Sequence, residues 1–191
     1  IGKGAEVRLM KEIRFPSSLG LLYSTITAYL GFSVNNSEYK VMGLAAYGNR
    51  DKKINPYYQK LRNIIDIKED GSFRLDMSYF IYHYAQRMPS DKLCALLGGE
   101  VRKAQNDLTP RHRDIAAALQ LVYEESLLVI VNHVYQQIQC TNIVLAGGCA
   151  LNSVANGKIL KNSPFKNIWI QPNASDGGTS IGAASYIYHT L

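Results

Sequence analysis

Three cysteines in 191 residues, Cys94, Cys140 and Cys149, are few and odd in number. They form no CxxC pair, so the sequence gives no support to a disulfide framework or a zinc knuckle, and reduced, mostly buried thiols are expected. The four histidines, His83, His112, His133 and His189, show neither HxxxH nor HExxH spacing, and no complete metal site is written in them. A Walker loop (GxxxxGK[ST]) and a GxSxG elbow are also missing, which removes the common P-loop nucleotidases and the α/β-hydrolases. No apolar run approaches the roughly 18 residues of a membrane-spanning helix, and nothing at the start resembles a signal peptide; no membrane association is expected, and a cytoplasmic location is.

What is present is ordinary globular composition, 47% hydrophobic and 19% charged, enough for one well-cored domain. The net charge of +6 suits an anionic ligand such as a nucleotide or phosphate. The basic residues are dispersed rather than gathered into a stripe, so a nucleic-acid partner is not expected. The chain opens on Ile1 rather than Met and closes just after an apparent helix, which leads to the expectation that it is part of a longer protein.

The alternation in Ala5–Phe15 predicts a strand or hairpin. Ser17 or Ser18 caps a helix over Leu19–Leu30 that ends at Gly31, and a second helix is expected over Glu38–Tyr47. The mixed aromatic and charged stretch 51–108 reads as an inserted segment of short strands and helices, with an Asp70-Gly71 turn between two strands. Thr109-Pro110 starts a long helix with an apolar stripe at Ile115, Leu119, Val122, Ile130, Val134 and Ile138. His112, between two arginines at that helix start, is expected in solvent. The region 109–191 then reads helix, strand (Asn142–Ala146), glycine turn, helix, strand (Asn167–Ile170), glycine turn, helix. The two strands have the continuous apolar character of strands buried on both faces, and the alternation argues an α/β fold with ligands at the strands' carboxyl ends.

Three constellations carry candidate chemistry. Gly147-Gly148-Cys149-Ala150-Leu151-Asn152 follows a strand directly: paired glycines admit a ligand to the backbone, a helix start favours an anion, and the Asn152 amide suits a base, ribose or phosphate. Asp176-Gly177-Gly178-Thr179 repeats the arrangement with a carboxylate able to ligate a metal or orient a nucleophile. Either turn alone is explained as well by a plain strand-to-helix connection, Asp176 then being a helix cap; two at matching positions favour a nucleotide crevice. In SEYKVMGLAAYG, the small residues Gly43, Ala45 and Ala46 allow close packing by a backbone or an adenine, and Lys40 suits a phosphate. Helix packing with exposed charges is the simpler account of that stretch.

Taken in order, FPSSLGLLYSTITAYLGF (15–32), EYKVMGLAAYG (38–48), RHRDIAAALQ (111–120), LAGGCALNSVANGKI (145–159) and QPNASDGGTSIGAA (171–184) resemble the carbamoyltransferases of nodulation-factor and antibiotic biosynthesis. The resemblance implies a bacterial enzyme of the actin-like ATPase (ribonuclease H-like) superfamily, with a mixed sheet flanked by helices and a small inserted α+β segment. It implies ATP, used as carbamoyl-adenylate, a divalent metal such as iron, carbamoyl phosphate as donor, and a hydroxyl-bearing sugar or antibiotic-like acceptor. Asp176 matches the family's metal-binding aspartate, and Gly147, Gly148 and Asn152 its nucleotide-binding turn. Gly177 and Gly178 accompany the aspartate, while Lys40 and Gly43 fall on the helix bordering the adenosine pocket; no catalytic residue can be assigned. The family's HxxxH segment and C-terminal carbamoyl-phosphate domain have no counterpart in these residues, so the chain alone is expected to be inactive. Alternatives are a tRNA threonylcarbamoyl-adenosine-type enzyme, a non-catalytic actin-like nucleotide module, and a structural interaction domain.

Overall fold

A computed structural model describes residues 1–191 as a mixed α/β protein. Helix α1 (Leu19–Tyr29) begins where Ser18 Oγ accepts from Leu21 N, and it ends before Gly31, whose φ of +74° only glycine adopts easily. Helix α2 (Glu38–Leu44) runs into a 3₁₀ turn, Ala45–Tyr47. Helix α5 (Pro110–Ile138) is the spine against which both pack, and its N-terminal half is mostly apolar where it meets them, with Gln120 and Glu124 buried among the apolar residues. Between lie α3 (Tyr58–Arg62), the antiparallel pair β3 (Ile65–Ile67) and β4 (Phe73–Leu75), and α4 (Asp91–Leu97). Leu61, Ile64, Phe73, Phe80 and Leu93 of this stretch enter the same core as Leu22, Ile26, Ile115 and Leu119.

The last third follows the expected order. Strand β5 (Asn142–Leu145) pairs in parallel with β6 (Asn167–Ile170), with helix α6 (Ser153–Asn162) between them and α7 (Thr179–Thr190) after them. The strands are not buried on both faces. Ile143, Leu145 and Ile168 pack on a small cluster of Val131, Ile159 and Phe165 from α5, α6 and the loop before β6, whereas Val144 and Trp169, 64% and 55% exposed, face solvent. An alternating half-buried strand and a continuous buried one differ only in what lies over the second face, and β-branched or aromatic residues suit either. Helix α7 likewise buries none of its residues.

Other expectations need correction. The N-terminal hairpin is limited to β1 (Gly2–Lys3) and β2 (Glu6–Val7); residues 8–15 form no strand, and Val7, Leu9 and Met10 stay exposed, while Phe15 touches only the Tyr82 ring. His112 is buried, not solvated. Its Nδ1 accepts from Thr109 N and lies 3.0 Å from Thr109 Oγ1, completing a capping box at the start of α5. Of the cysteines, Cys140 and Cys149 are exposed and only Cys94 is half-buried; all three are free thiols. Finally, the close approach between α5 and the α2 segment is made by Gly48 rather than Gly43: a Cβ at Gly48 would collide with the Arg113 carbonyl and with Ala117, while one at Gly43 would meet open space.

Two predictions follow from this packing. Gly48→Ala should destabilise the fold by about 1–3 kcal/mol through overpacking, whereas Gly43→Ala on an exposed helical face should be neutral or stabilising by up to ~1 kcal/mol; chemical denaturation of the two variants checks the contrast. Burial first, and then the nearby Arg111 and Arg102 charges, holds the His112 pKa below its ordinary value of 6.5. The unfolded chain therefore takes up this proton at a higher pH than the folded one, so the contribution of neutral His112 is complete above pH 6.5 and declines as pH falls below it. His112→Gln, which retains a capping side chain but cannot titrate, should flatten that part of the stability–pH curve.

Candidate functional site

The register Leu145↔Ile170 puts the carboxyl ends of β5 and β6 side by side, and the loops leaving them stay together. Gly147 N donates to Ala174 O at 2.6 Å, tying one glycine corner to the other. Both open on one cleft of about 720 Å³, whose walls include Gly148, Cys149 and Asn152 from the first corner, Ser175 and Asp176 from the second, and residues of α1 and α2 opposite. That volume is in the range of small-molecule and cofactor sites.

The glycines play unequal parts. Gly147 has φ +92° and ψ 167°, a conformation essentially restricted to glycine, and no atom would touch a Cβ built there. Gly148 has only Ser175 Oγ near it, at 3.9 Å from such a Cβ, so backbone at this corner is open to an incoming group. At Gly177 and Gly178 the space is already taken by Asn173, and these glycines make the second corner tight rather than accessible. Lys40 and Gly43, although on the helix that borders the cleft, are exposed and do not line it; Lys40 Nζ sits 5.9 Å from the Tyr39 ring centroid. From α2 it is Glu38, Tyr39 and Met42 that face the cavity.

The wall below Asn152 is a polar network that sequence reasoning did not find. Asn152 Oδ1 accepts from Ala155 N at 3.0 Å, capping α6, and the amides of Asn152 and Gln120 exchange two hydrogen bonds of 3.0 Å each. Tyr23 donates to Gln120 Oε1 at 2.9 Å, and Gln120 Nε2 donates to Glu124 Oε1 at 3.0 Å. Glu124 is buried, yet Arg50 and Lys158 both pair with it. Desolvation pushes its pKa up, but hydrogen bonds from Lys158, Arg50 and Gln120 outweigh that, and the net shift is downward. Tyr23, packed edge-on against Tyr123 at 5.6 Å, has its phenol pKa raised chiefly by burial, so it remains protonated and able to donate. The only trace of this network in the sequence is a polar i, i+4 pair, Gln120 and Glu124, interrupting a helix face that is otherwise apolar.

On the opposite wall Glu38 Oε1 accepts from Ser24 Oγ at 2.7 Å and from Asn35 N at 2.9 Å. Asp176 is exposed, and its carboxylate enters none of the ion pairs. Glu38 and Asp176 are the charged residues lining the cleft; no lysine or arginine does. The excess positive charge of the chain therefore lies elsewhere, and a phosphate entering here needs a cation brought with it or supplied from outside these walls. No three His, Cys, Asp or Glu side chains converge as a metal centre. These residues alone do not fit a bound transition metal; Asp176 offers one ligand at most.

This cleft belongs to a stretch with recognisable relatives. Residues 1–185 match the model of the carbamoyltransferase N-terminus. The chain belongs to the carbamoyltransferase family. It is 48% identical over 190 residues to an uncharacterized protein of Synechocystis sp., covering 98% of this chain and 30% of that protein. Nodulation protein NolNO of Sinorhizobium fredii is 33% identical and nodulation protein NolO of Bradyrhizobium diazoefficiens 32%, each over all of this chain and over 26% and 32% of their own lengths. The chain thus spans a third or less of these relatives. No helix is long and apolar enough to cross a membrane.

The backbone at Gly147 gives this carbamoyltransferase segment a direct stability test. Gly147→Ala meets no steric obstacle but must hold a φ of +92°, so it should cost about 1–3 kcal/mol. A denaturation midpoint unchanged from the parent would show that the corner adopts another conformation in solution.

Proposed function

We propose that the parent protein is an ATP-dependent O-carbamoyltransferase and that this cleft holds the adenosine part of its nucleotide. The observation that carries the reading is the meeting of both glycine corners, with Asn152 and Asp176, on one cavity of nucleoside size. In the proposed sequence, water cleaves carbamoyl phosphate to carbamate and inorganic phosphate, and a carbamate oxygen attacks the α-phosphorus of ATP with pyrophosphate leaving. A hydroxyl of a sugar or natural product then attacks the carbamoyl carbon of the adenylate; its proton passes to a base or to water, the bond to AMP breaks, and a carbamate ester forms.

The walls suit the nucleoside better than the phosphates. Tyr23, Asn152 and Glu38 offer hydrogen-bonding groups that a base or ribose satisfies, and Tyr39, Met42 and Leu151 offer apolar surface. The two carboxylates repel a bare triphosphate, which agrees with a divalent metal as companion; iron is the ion that the family resemblance suggests. Asp176 would contribute one of its ligands, the others coming from outside these residues, and the metal would supply charge neutralisation for the phosphates. What the chain itself does is bind, orient and shield. Fixing the adenylate against the mouth of the cleft raises the effective concentration of the acceptor hydroxyl, and a dry cavity protects carbamate from decomposition. Carbamoyl phosphate itself and the actin-like superfamily architecture belong to this proposal as parts of the whole enzyme.

The test is made on the full-length protein. Given ATP and carbamoyl phosphate, it should exchange labelled pyrophosphate into ATP only when the carbamoyl donor is present, and Asp176→Ala should lower transfer to acceptor by roughly a hundredfold or more. Asp176 holds no structural contact whose loss would unfold the protein, so normal turnover in that variant would remove Asp176 from the mechanism. Pyrophosphate exchange without carbamoyl phosphate would remove the carbamoyl-adenylate.

A further inference from the structure

The polar network beneath Asn152 has a direction, and the direction comes from a residue that does not line the cleft. A carboxylate only accepts hydrogen bonds, so Glu124 obliges Gln120 to turn its NH₂ toward it. Gln120 Oε1 then faces Tyr23 and Asn152 and accepts a hydrogen bond from each. The Ala155 N–H imposes the matching orientation from the other side by demanding Asn152 Oδ1. With these bonds made, both protons and both lone pairs of the Gln120 amide are used. Two groups not used by Gln120 remain on residues that line the cleft, one N–H of Asn152 and a lone pair on Tyr23 Oη, close enough to interact with each other until a ligand takes both. The wall therefore presents one donor and one acceptor in a set order.

We infer that Glu124, held by Arg50 and Lys158 behind the cleft, is a positioning and specificity-determining residue that fixes, through Gln120, the donor–acceptor pattern the cleft shows to its ligand. The arrangement is expensive in isolation, because a buried carboxylate is stabilised only when fully paired. Here all its partners are in place: Arg50 bridges both carboxylate oxygens at 2.9 and 2.8 Å, Lys158 reaches Oε2 from α6, and Gln120 reaches Oε1. Since Arg50 follows α2, Gln120 and Glu124 lie on α5 and Lys158 on α6, the same ion cluster ties together three of the segments that build the cleft. A ligand whose polar edge has the complementary order keeps every buried group satisfied; one with the reverse order leaves two unsatisfied and is rejected.

The choice of probe rests on the nucleotide reading above. Adenine presents an N6 donor beside an N1 acceptor, and hypoxanthine the reverse, so ATP and ITP are mirror probes of one wall. In the full-length protein, wild type should bind ATP more tightly than ITP by roughly tenfold or more. Glu124→Gln, which can donate as well as accept, should bring the two affinities within about threefold of each other. Tyr23→Phe, which keeps the ring against Tyr123 and so protects the fold should Glu124→Gln prove unstable, should do the same.

A ligand-free readout accompanies them. Side-chain amide protons of Gln120 and Asn152, followed by NMR in protein labelled only at those residue types, should be slow to exchange in wild type and fast in Glu124→Gln. Equal loss of ATP and ITP affinity, with the ratio kept, would reduce Glu124 to a structural role and overturn the inference, as would amide protection unchanged in Glu124→Gln. If wild type binds neither nucleotide yet the amide protection vanishes in the variant, the positioning role stands and the nucleotide reading falls.

Discussion

The parallel pairing of β5 with β6 is the constraint on which the site depends. Four residue pairs in register bring the two strand ends together, and because both strands run the same way, both following corners must emerge on the same edge. Antiparallel pairing would have put Gly147 and Asp176 at opposite ends of the sheet. The crossover through α6 makes the parallel arrangement possible, and Ile159 of that helix, in contact with Val131 and Phe165, anchors it to the sheet's buried face. From there the cleft is completed by α1 and α2, which α5 holds in place.

Charge is distributed against the simplest expectation. A basic chain has an acidic cleft, and its one deeply buried ion cluster lies behind the cavity rather than in its lining. In the proposed reading this separates two jobs that a phosphate-gripping lysine or arginine would merge: the wall would select by hydrogen-bond order, and neutralisation of phosphate would be left to other groups. It also explains why Lys40, the cation that sequence places next to the pocket, has no part in lining it. On a short helix that alternates between core and cleft, Val41 and Leu44 take the buried face and Met42 the cavity, which leaves Lys40 in solvent.

What could be read from residue order was local. Ser18 and Thr109 as caps, Gly31 beyond α1 and Gly71 in its hairpin follow from hydrogen-bonding reach and backbone sterics over a few positions, and the structure places each as expected. The glycine corners were found the same way. The errors concern partners distant in sequence. Gly43 and Gly48 look alike in SEYKVMGLAAYG, and only the passage of Arg113 backbone beside one of them distinguishes their roles. His112 between two arginines looks solvated until its bond to Thr109 is seen. Trp169 and Val144 suggested a covered sheet, but composition cannot tell which face is covered. Gln120 and Glu124 were hidden for the same reason: a polar pair on a long helix reads as surface unless the residues that close over it are known.

The central claim is that both glycine corners face one nucleotide. Photolabelling of the full-length protein with 8-azido-ATP, followed by peptide mapping, tests it most directly. Label should fall on peptides that line the cleft, those carrying Tyr39 to Met42 or Cys149 to Asn152, and excess ATP should suppress it. Suppressible label confined to peptides remote from this cavity would contradict the account.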